Sequence, residues 1–264
     1  MNHSLSVESV GLLAPGLIGW LASRAILTGE QPYLASPMPA PSTALLPPNE
    51  RRRVTGLVKL ALHVAQEAIT QASADPQTVC SVFASSGGDS EVLDKICTAL
   101  TLPDRPVSPT HFHQSVHNAT TGYWSIATRC PQPSLSLSAY DSSFMSGLLE
   151  AATLAWAEAA LVLLVAYDVP QPFPLSEQRV IIAPFGVALL LSPEPGEQRL
   201  ATLHLTPTAA PTATTSADPE LERLRIGNPA ARCLPLLQAI ARPIGQQTML
   251  ADDGGMGLSV EVRP

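Results

Sequence analysis

Charged residues are scarce in this sequence, 14% of 264 positions against the quarter usual in globular chains. Lysine is nearly absent: Lys59 and Lys95 stand beside 13 arginines. With 22 acidic and 15 basic residues the net charge is −7, and the one basic cluster, Arg51-Arg52-Arg53, is isolated. That balance excludes a nucleic-acid footprint, which needs a basic face. Paired cysteines are missing too. Cys80, Cys97, Cys130 and Cys233 are scattered, with no CxxC pair and no histidine at ligand spacing, so they read as free, mostly buried thiols in a reducing cytoplasm. No apolar run reaches the ~18 residues of a membrane helix. The stretch from Val10 to Ile26 is broken by Pro15, Gly16, Gly19 and Arg24 and lacks a basic leader, so no membrane span is expected and the chain reads as soluble and cytoplasmic.

What the chain does have is apolar residues, 45% of the total, and 26 prolines. The first excludes general disorder, since so apolar a chain can bury a sizeable core. The second requires long irregular stretches. Residues 1–48, with six prolines between Pro32 and Pro48, are expected as an irregular N-terminal arm. From Asn49 the texture changes. Leu57, Leu60, Ala61, Val64, Ala68 and Ile69 fall on one helical face, and TVCSVFASSGG supplies a short strand stopped by Gly87-Gly88 before the helix-like DSEVLDKICTAL.

Farther on, SLSLSA alternates with period two, SFMSGLLEAATLAWAEAA reads as a helix, and LVLLVAYD is a continuous apolar strand of the kind buried on both faces. Two more strands follow, in VIIAPFGVALLLSP and RLATLHLTP. This order predicts an α/β fold with a largely parallel mixed sheet flanked by helices, occupying residues 1–206 with the N-terminal arm included. Residues 207–219 form a Pro/Thr/Ala linker. Residues 220–264 are expected as a C-terminal arm, with a short helix interrupted by Pro235, a DDGG turn at Asp252 to Gly255 and a terminal strand.

The chemistry concentrates between Pro109 and Pro170. There a strand runs through a sharp turn into a helix, at SLSLSAYDSSFMSG, a junction that parallel α/β folds use to expose a side chain at a helix N-terminus. Tyr140 and Asp141 sit at this elbow. Neither is an acyl-transfer nucleophile, because a phenol ionises near pH 10 and the dipole stabilises a carboxylate without activating it.

The segments PTHFHQSVHNATTGYWSIA, SLSLSAYDSSFMSGLLEAA, LVLLVAYDVPQP and IIAPFGVALLLSPEP together resemble the N-terminal half of β-ketoacyl synthases of the thiolase-like fold, over residues ~50–206. In that family a strand leads into an elbow whose cysteine carries the growing acyl chain, and a later glycine-containing strand is similar to PFGVALLL. On this resemblance the cysteine position is occupied by Tyr140, followed by Asp141, Ser142 and Ser143, and no histidine follows position 206 to supply the family's catalytic pair. Without thiolate and imidazoles, decarboxylative condensation has no route by that mechanism.

The resemblance therefore implies a non-catalytic partner, like the short chain-length-factor-like subunits of aryl-polyene type II polyketide clusters. It would pair as a heterodimer with a full-length β-ketoacyl-ACP synthase and meet acyl carrier protein through that complex. It also implies that the strand Ser134, Leu135, Ser136, Leu137, Ser138 pairs across the dimer axis. Phe112, His113, Val116, Tyr123 and Phe144 are then candidates for acyl-tunnel or interface positions, with ordinary core packing as the competing account. No cofactor is implied.

Other readings stay open at this stage. Ser142 or Ser143 could serve as the nucleophile of an acyltransferase or thioester hydrolase, with His113 or His117 as base and Asp141 or Asp168 as orienter, although GxSxG is absent. His111, His113 and His117, with Asp104 the nearest carboxylate, do not make a metal motif. Ser85-Ser86-Gly87-Gly88-Asp89 lacks the lysine of a phosphate-binding loop and reads as the turn after a strand. Arg51-Arg52-Arg53 reads as a solvated helix end, with an acidic carrier protein as a natural guest.

Overall fold

In the computed structural model, which describes residues 4–196, 199–209, 212–251 and 255–264, the apolar runs assemble into one nine-stranded sheet. Its strands are β1 (Ser4–Ala14), β2 (Leu17–Ile18), β3 (Cys80–Ala84), β4 (Ser134–Leu137), β5 (Val162–Asp168), β6 (Phe185–Ser192), β7 (Ala201–Ala209), β8 (Gln246–Ala251) and β9 (Met256–Arg263). The order across the sheet is β4-β3-β5-β6-β1-β7-β9-β8, with β2 turned back onto β1. The helices are α1 (Trp20–Thr28), α2 (Pro48–Arg51), α3 (Gly56–Gln71), α4 (Ser90–Thr101), α5 (Pro109–Gln114), α6 (Ala119–Thr128), α7 (Ser143–Glu158), α8 (Leu175–Gln178), α9 (Pro219–Gly227) and α10 (Leu234–Ala241).

Strand periodicity explains the layering. Along β5, Val162, Leu164 and Ala166 face α7, while Leu163, Val165 and Tyr167 face α3 and α6, so both sides of the strand are buried and its sequence is continuously apolar. The same alternation in β6 sends Val187, Leu189 and Leu191 to one core and Ala188 and Leu190 to the other. Helix α3 lies across β1, β5 and β6, its start capped by the Thr55 hydroxyl accepting from the Val58 amide. Helices α1, α7, α9 and α10 cover the opposite face. The mixed sheet flanked by helices is the expected architecture.

Three features correct the sequence reading. Parallel pairing is confined to β3 with β4 and β3 with β5; the other pairs are antiparallel, so the sheet is mixed rather than largely parallel. Residues 1–48 are not irregular throughout. Among them, β1 is a central buried strand between β6 and β7, and only the proline-rich stretch after α1 wraps the surface, tied by Tyr33 Oη donating to the Pro15 carbonyl at 2.8 Å and Gly16 N donating to Ser36 O at 3.1 Å.

The third correction concerns the C-terminal segment. Pro235 does not interrupt its helix: it stands in the first turn of α10, where its missing N–H costs no hydrogen bond, and every residue of α10 is buried. Strands β8 and β9 extend the same sheet, and Leu250, Leu258, Val260 and Val262 join the core that α7 packs. The stretch expected as a 207–219 linker begins inside β7, where Pro207, Thr208 and Ala209 pair with β9, and farther on it covers the outer edge of β8, with Thr214 N donating to Met249 O and Met249 N donating to Thr214 Oγ1, both at 2.9 Å. Of the DDGG turn, Asp252 to Gly254 lie outside the described residues.

Candidate functional site

The elbow is built where β4 leaves the sheet. Tyr140 adopts φ +53°, a left-handed conformation that costs a bulky side chain of the order of 1–3 kcal/mol and persists only where its surroundings enforce it. Ser143 supplies part of that enforcement. Its hydroxyl donates to the Tyr140 carbonyl at 2.7 Å and accepts from the Ala139 amide at 3.0 Å, closing the turn at the start of α7. Tyr140 itself projects outward, 62% exposed, with the Arg179 guanidinium stacked 3.6 Å from its ring centroid. Asp141 is held by Arg179 at 2.5 Å and Arg232 at 2.7 Å.

Behind the elbow, Asp141, Ser142, Phe144, Met145, Arg225, Arg232 and Met249 border a hollow of about 10 Å³, room for one water at most and far too small for an acyl chain. Phe144 is 1% exposed and packs in the core with Leu148, the arrangement that the competing core-packing account describes. Tyr123 is also buried, its hydroxyl 3.4 Å from Gln114 Nε2 and its ring edge-on to His113. Phe112, His113 and Val116 are exposed, as are Ile126 on α6 and Leu135 on β4, the last with its side chain on the α7 face of the sheet.

That edge is β4. It pairs only with β3 among the described residues. Ser134 bonds Ser81 through their hydroxyls at 2.7 Å, Ser136 bonds Thr121 at 3.2 Å, and Ser138 donates to the Ser86 carbonyl at 2.8 Å, so the serines fasten β4 inward while its outer edge stays open. Exposed apolar side chains beside an open strand edge are the features of an association surface.

Below the elbow, at the end of β5, lies a buried carboxylate. Asp168 Oδ1 accepts from Ser85 Oγ at 3.1 Å, Ser86 N at 2.9 Å and Ser86 Oγ at 2.8 Å, while Oδ2 has no partner among the described residues. Burial pushes its pKa up to about 6, with the Ser86 and Ser85 donors and Arg179 pulling partly back. A carboxyl whose folded pKa is raised holds its proton more tightly than in the unfolded chain. Its contribution to stability is therefore fully present below the unfolded value and is lost as pH rises to about 6. Relative to the wild type, an Asp168→Asn chain should gain ~1–3 kcal/mol between pH 4 and pH 8 in denaturant titrations. A pH-independent difference would mean that burial does not disfavour the charge.

The same contacts show where the residues of the serine-nucleophile arrangement lie. Ser143 is locked in the turn, Asp141 is paired to arginines and Asp168 to serines, while His113 packs on Tyr123 and His117 lies over Gly88. Ser143, both carboxylates and both histidines are thus each engaged elsewhere, and Ser142 borders the hollow behind the elbow. No group of three or more histidine, cysteine or acidic side chains that could hold a metal occurs among the described residues, where no helix is long and apolar enough to cross a membrane. In the arginine cluster, Arg51 is structural, donating to the carbonyls of Ala44 and Leu46, and Arg53 lies 3.7 Å from Glu50. Arg179 and Arg232 were not legible as site residues, since nothing local to either marks its partner.

This geometry can be set beside known proteins. A chain in the complex of the ketosynthase ApeO with its chain length factor ApeC from Xenorhabdus doucetiae is 23% identical, with a TM-score of 0.75 over 98% of this chain and 99% of that one. A chain in the complex of a type II polyketide synthase acyl-carrier protein with its ketosynthase, AntDE:AntF, is 12% identical, with a TM-score of 0.76 over 100% and 99%. The ketosynthase of module 1 of the bacillaene synthase from Bacillus amyloliquefaciens FZB42 is 16% identical, with a TM-score of 0.57. It matches 81% of this chain but only 48% of its own length. No curated protein matches by sequence. At these identities the likeness is one of fold, the thiolase-like mixed sheet flanked by helices. Residues 27–240 match the β-ketoacyl synthase N-terminal domain, beyond both ends of the ~50–206 stretch that carries the sequence resemblance, and the chain belongs to that family.

Proposed function

We propose that this protein is a non-catalytic, chain-length-factor-like subunit that pairs with a full-length β-ketoacyl-ACP synthase in the cytoplasm. It shapes the tunnel into which that enzyme extends an acyl chain, in aryl-polyene, polyketide or fatty-acid-like biosynthesis. The observation that carries this reading is the open edge of β4 beside exposed Phe112, Val116, Ile126 and Leu135, next to an elbow bearing Tyr140 in place of a nucleophile. An open strand edge takes a partner's strand by main-chain hydrogen bonds, and the flanking side chains set specificity. Acyl carrier protein reaches the complex through the active partner, with the exposed Arg52 and Arg53 as complementary charge for an acidic guest.

Co-expression with the full-length ketosynthase tests the pairing. A stable complex isolated through a tag on either chain is expected, and a chain that never captures a ketosynthase sinks the proposal. Within the complex, Phe112→Ala should shift product length as read by mass spectrometry, because this exposed side chain belongs to the face turned to the partner. Unchanged products would remove Phe112 from the tunnel and leave the pairing untouched.

A further inference from the structure

Asp141 meets more positive charge than it neutralises. Its Oδ1 accepts from Arg179 Nη2 at 2.5 Å and its Oδ2 from Arg232 Nη2 at 2.7 Å, so each oxygen has its own guanidinium. Arg225, which borders the same hollow, is already held by Glu222 through Nε and Nη2 at 2.8 and 2.6 Å. Arg232 Nε is buried without an acceptor among the described residues. The three groups come from the elbow, the loop between β5 and β6, and the turn before α10, separated by 38 and 91 positions from Asp141. Arg179 also presses on the Tyr140 ring.

Two guanidiniums converging on the two oxygens of one carboxylate make an anion receptor, because each supplies fixed, permanently charged donors. We infer that Arg179 and Arg232 form a carboxylate-binding site at the elbow, occupied in cis by Asp141, which clasps the 169–184 loop and the segment around α10 onto the elbow. The ligand class is a small monocarboxylate, and the native side chain fills the site. The clasp also accounts for the left-handed Tyr140: with Asp141 drawn inward between two arginines and Ser143 closing the turn, the tyrosine is turned outward under Arg179. This inference holds for the chain by itself, with or without a ketosynthase partner.

Limited trypsin digestion of the full chain tests it, since Arg179 is itself a cleavage site in the clasped loop. In Asp141→Asn, cleavage after Arg179, identified by mass spectrometry, should be at least ~10-fold faster than in the wild type, because local opening governs proteolysis. In Asp141→Gly, which leaves the receptor empty, sodium formate at roughly tens of millimolar should restore protection. Sodium chloride at equal ionic strength should not, and Asp141→Gly with Arg232→Met should lose the rescue. Unchanged cleavage in Asp141→Asn, equal rescue by chloride, or rescue that survives Arg232→Met would each overturn the inference. Should Asp141→Gly fail to fold, a double-mutant cycle of Asp141→Asn and Arg232→Met decides. A double variant cleaved no faster than the single ones supports the site, and additive effects overturn it.

Discussion

A Ser136→Pro chain is expected to fold and yet to lose a ketosynthase partner by at least ~100-fold in affinity. The argument is one of strand geometry. Ser81 N donates to Pro133 O at 3.0 Å and Ser85 N donates to Leu137 O at 3.2 Å, so the odd-numbered residues of β4 turn their backbone groups toward β3. Alternation along the strand then turns those of Ser134 and Ser136 to the open edge. Proline at 136 removes an outward N–H and puts a ring in the partner's place, while leaving the β3 ladder intact, which is why proline is tolerated on edge strands. The contact given up within the chain is the 3.2 Å hydroxyl pair with Thr121. Thermal unfolding should change little, and titration calorimetry against the purified ketosynthase should show the loss. A variant that binds as tightly as the wild type would place the interface elsewhere.

Gly11→Ala should destabilise the fold by at least ~3 kcal/mol, or lower Tm by roughly 6–12 °C. Helix α3 crosses β1 at this glycine so closely that an added Cβ would lie 2.0 Å from the Val64 carbonyl oxygen and 3.2 Å from the Ala68 amide nitrogen. Both are backbone atoms of a helix that also accepts a hydrogen bond from Ser9 at 2.7 Å, so relief requires moving the whole helix off the sheet. Gly122→Ala on α6, where a Cβ meets nothing within 4 Å, is the matching control and should stabilise by ~0.5–1 kcal/mol. Equal effects from the two substitutions would show that the close approach does not govern stability.

Where local pattern and tertiary environment agree, the fold was legible. The continuous apolar runs of β5 and β6 and the helical faces of α3 and α7 became the elements they announce because the two cores bury them, and the period-two SLSL became β4 although Leu135 stays exposed and its serines make the inward bonds. The elbow was legible for the same reason, as a strand meeting a helix across small residues. Strand β1 was hidden because Glu8 and Gly11 interrupt its pattern, one answering the amide of Gly196 and the other the backbone of α3. Helix α10 was hidden because proline reads as a breaker unless its place in the first turn is known.

Alone, then, the sequence determined the class of fold and the family it resembles, since these rest on periodicity and on the order of recognisable segments. Tertiary structure decided the rest. It buried Phe144, left Phe112 outside, opened the edge of β4, and drew Asp141 between two arginines distant in the chain. Those outcomes depend on which segments meet in space, and a carboxylate carries no local mark of the guanidinium that will find it.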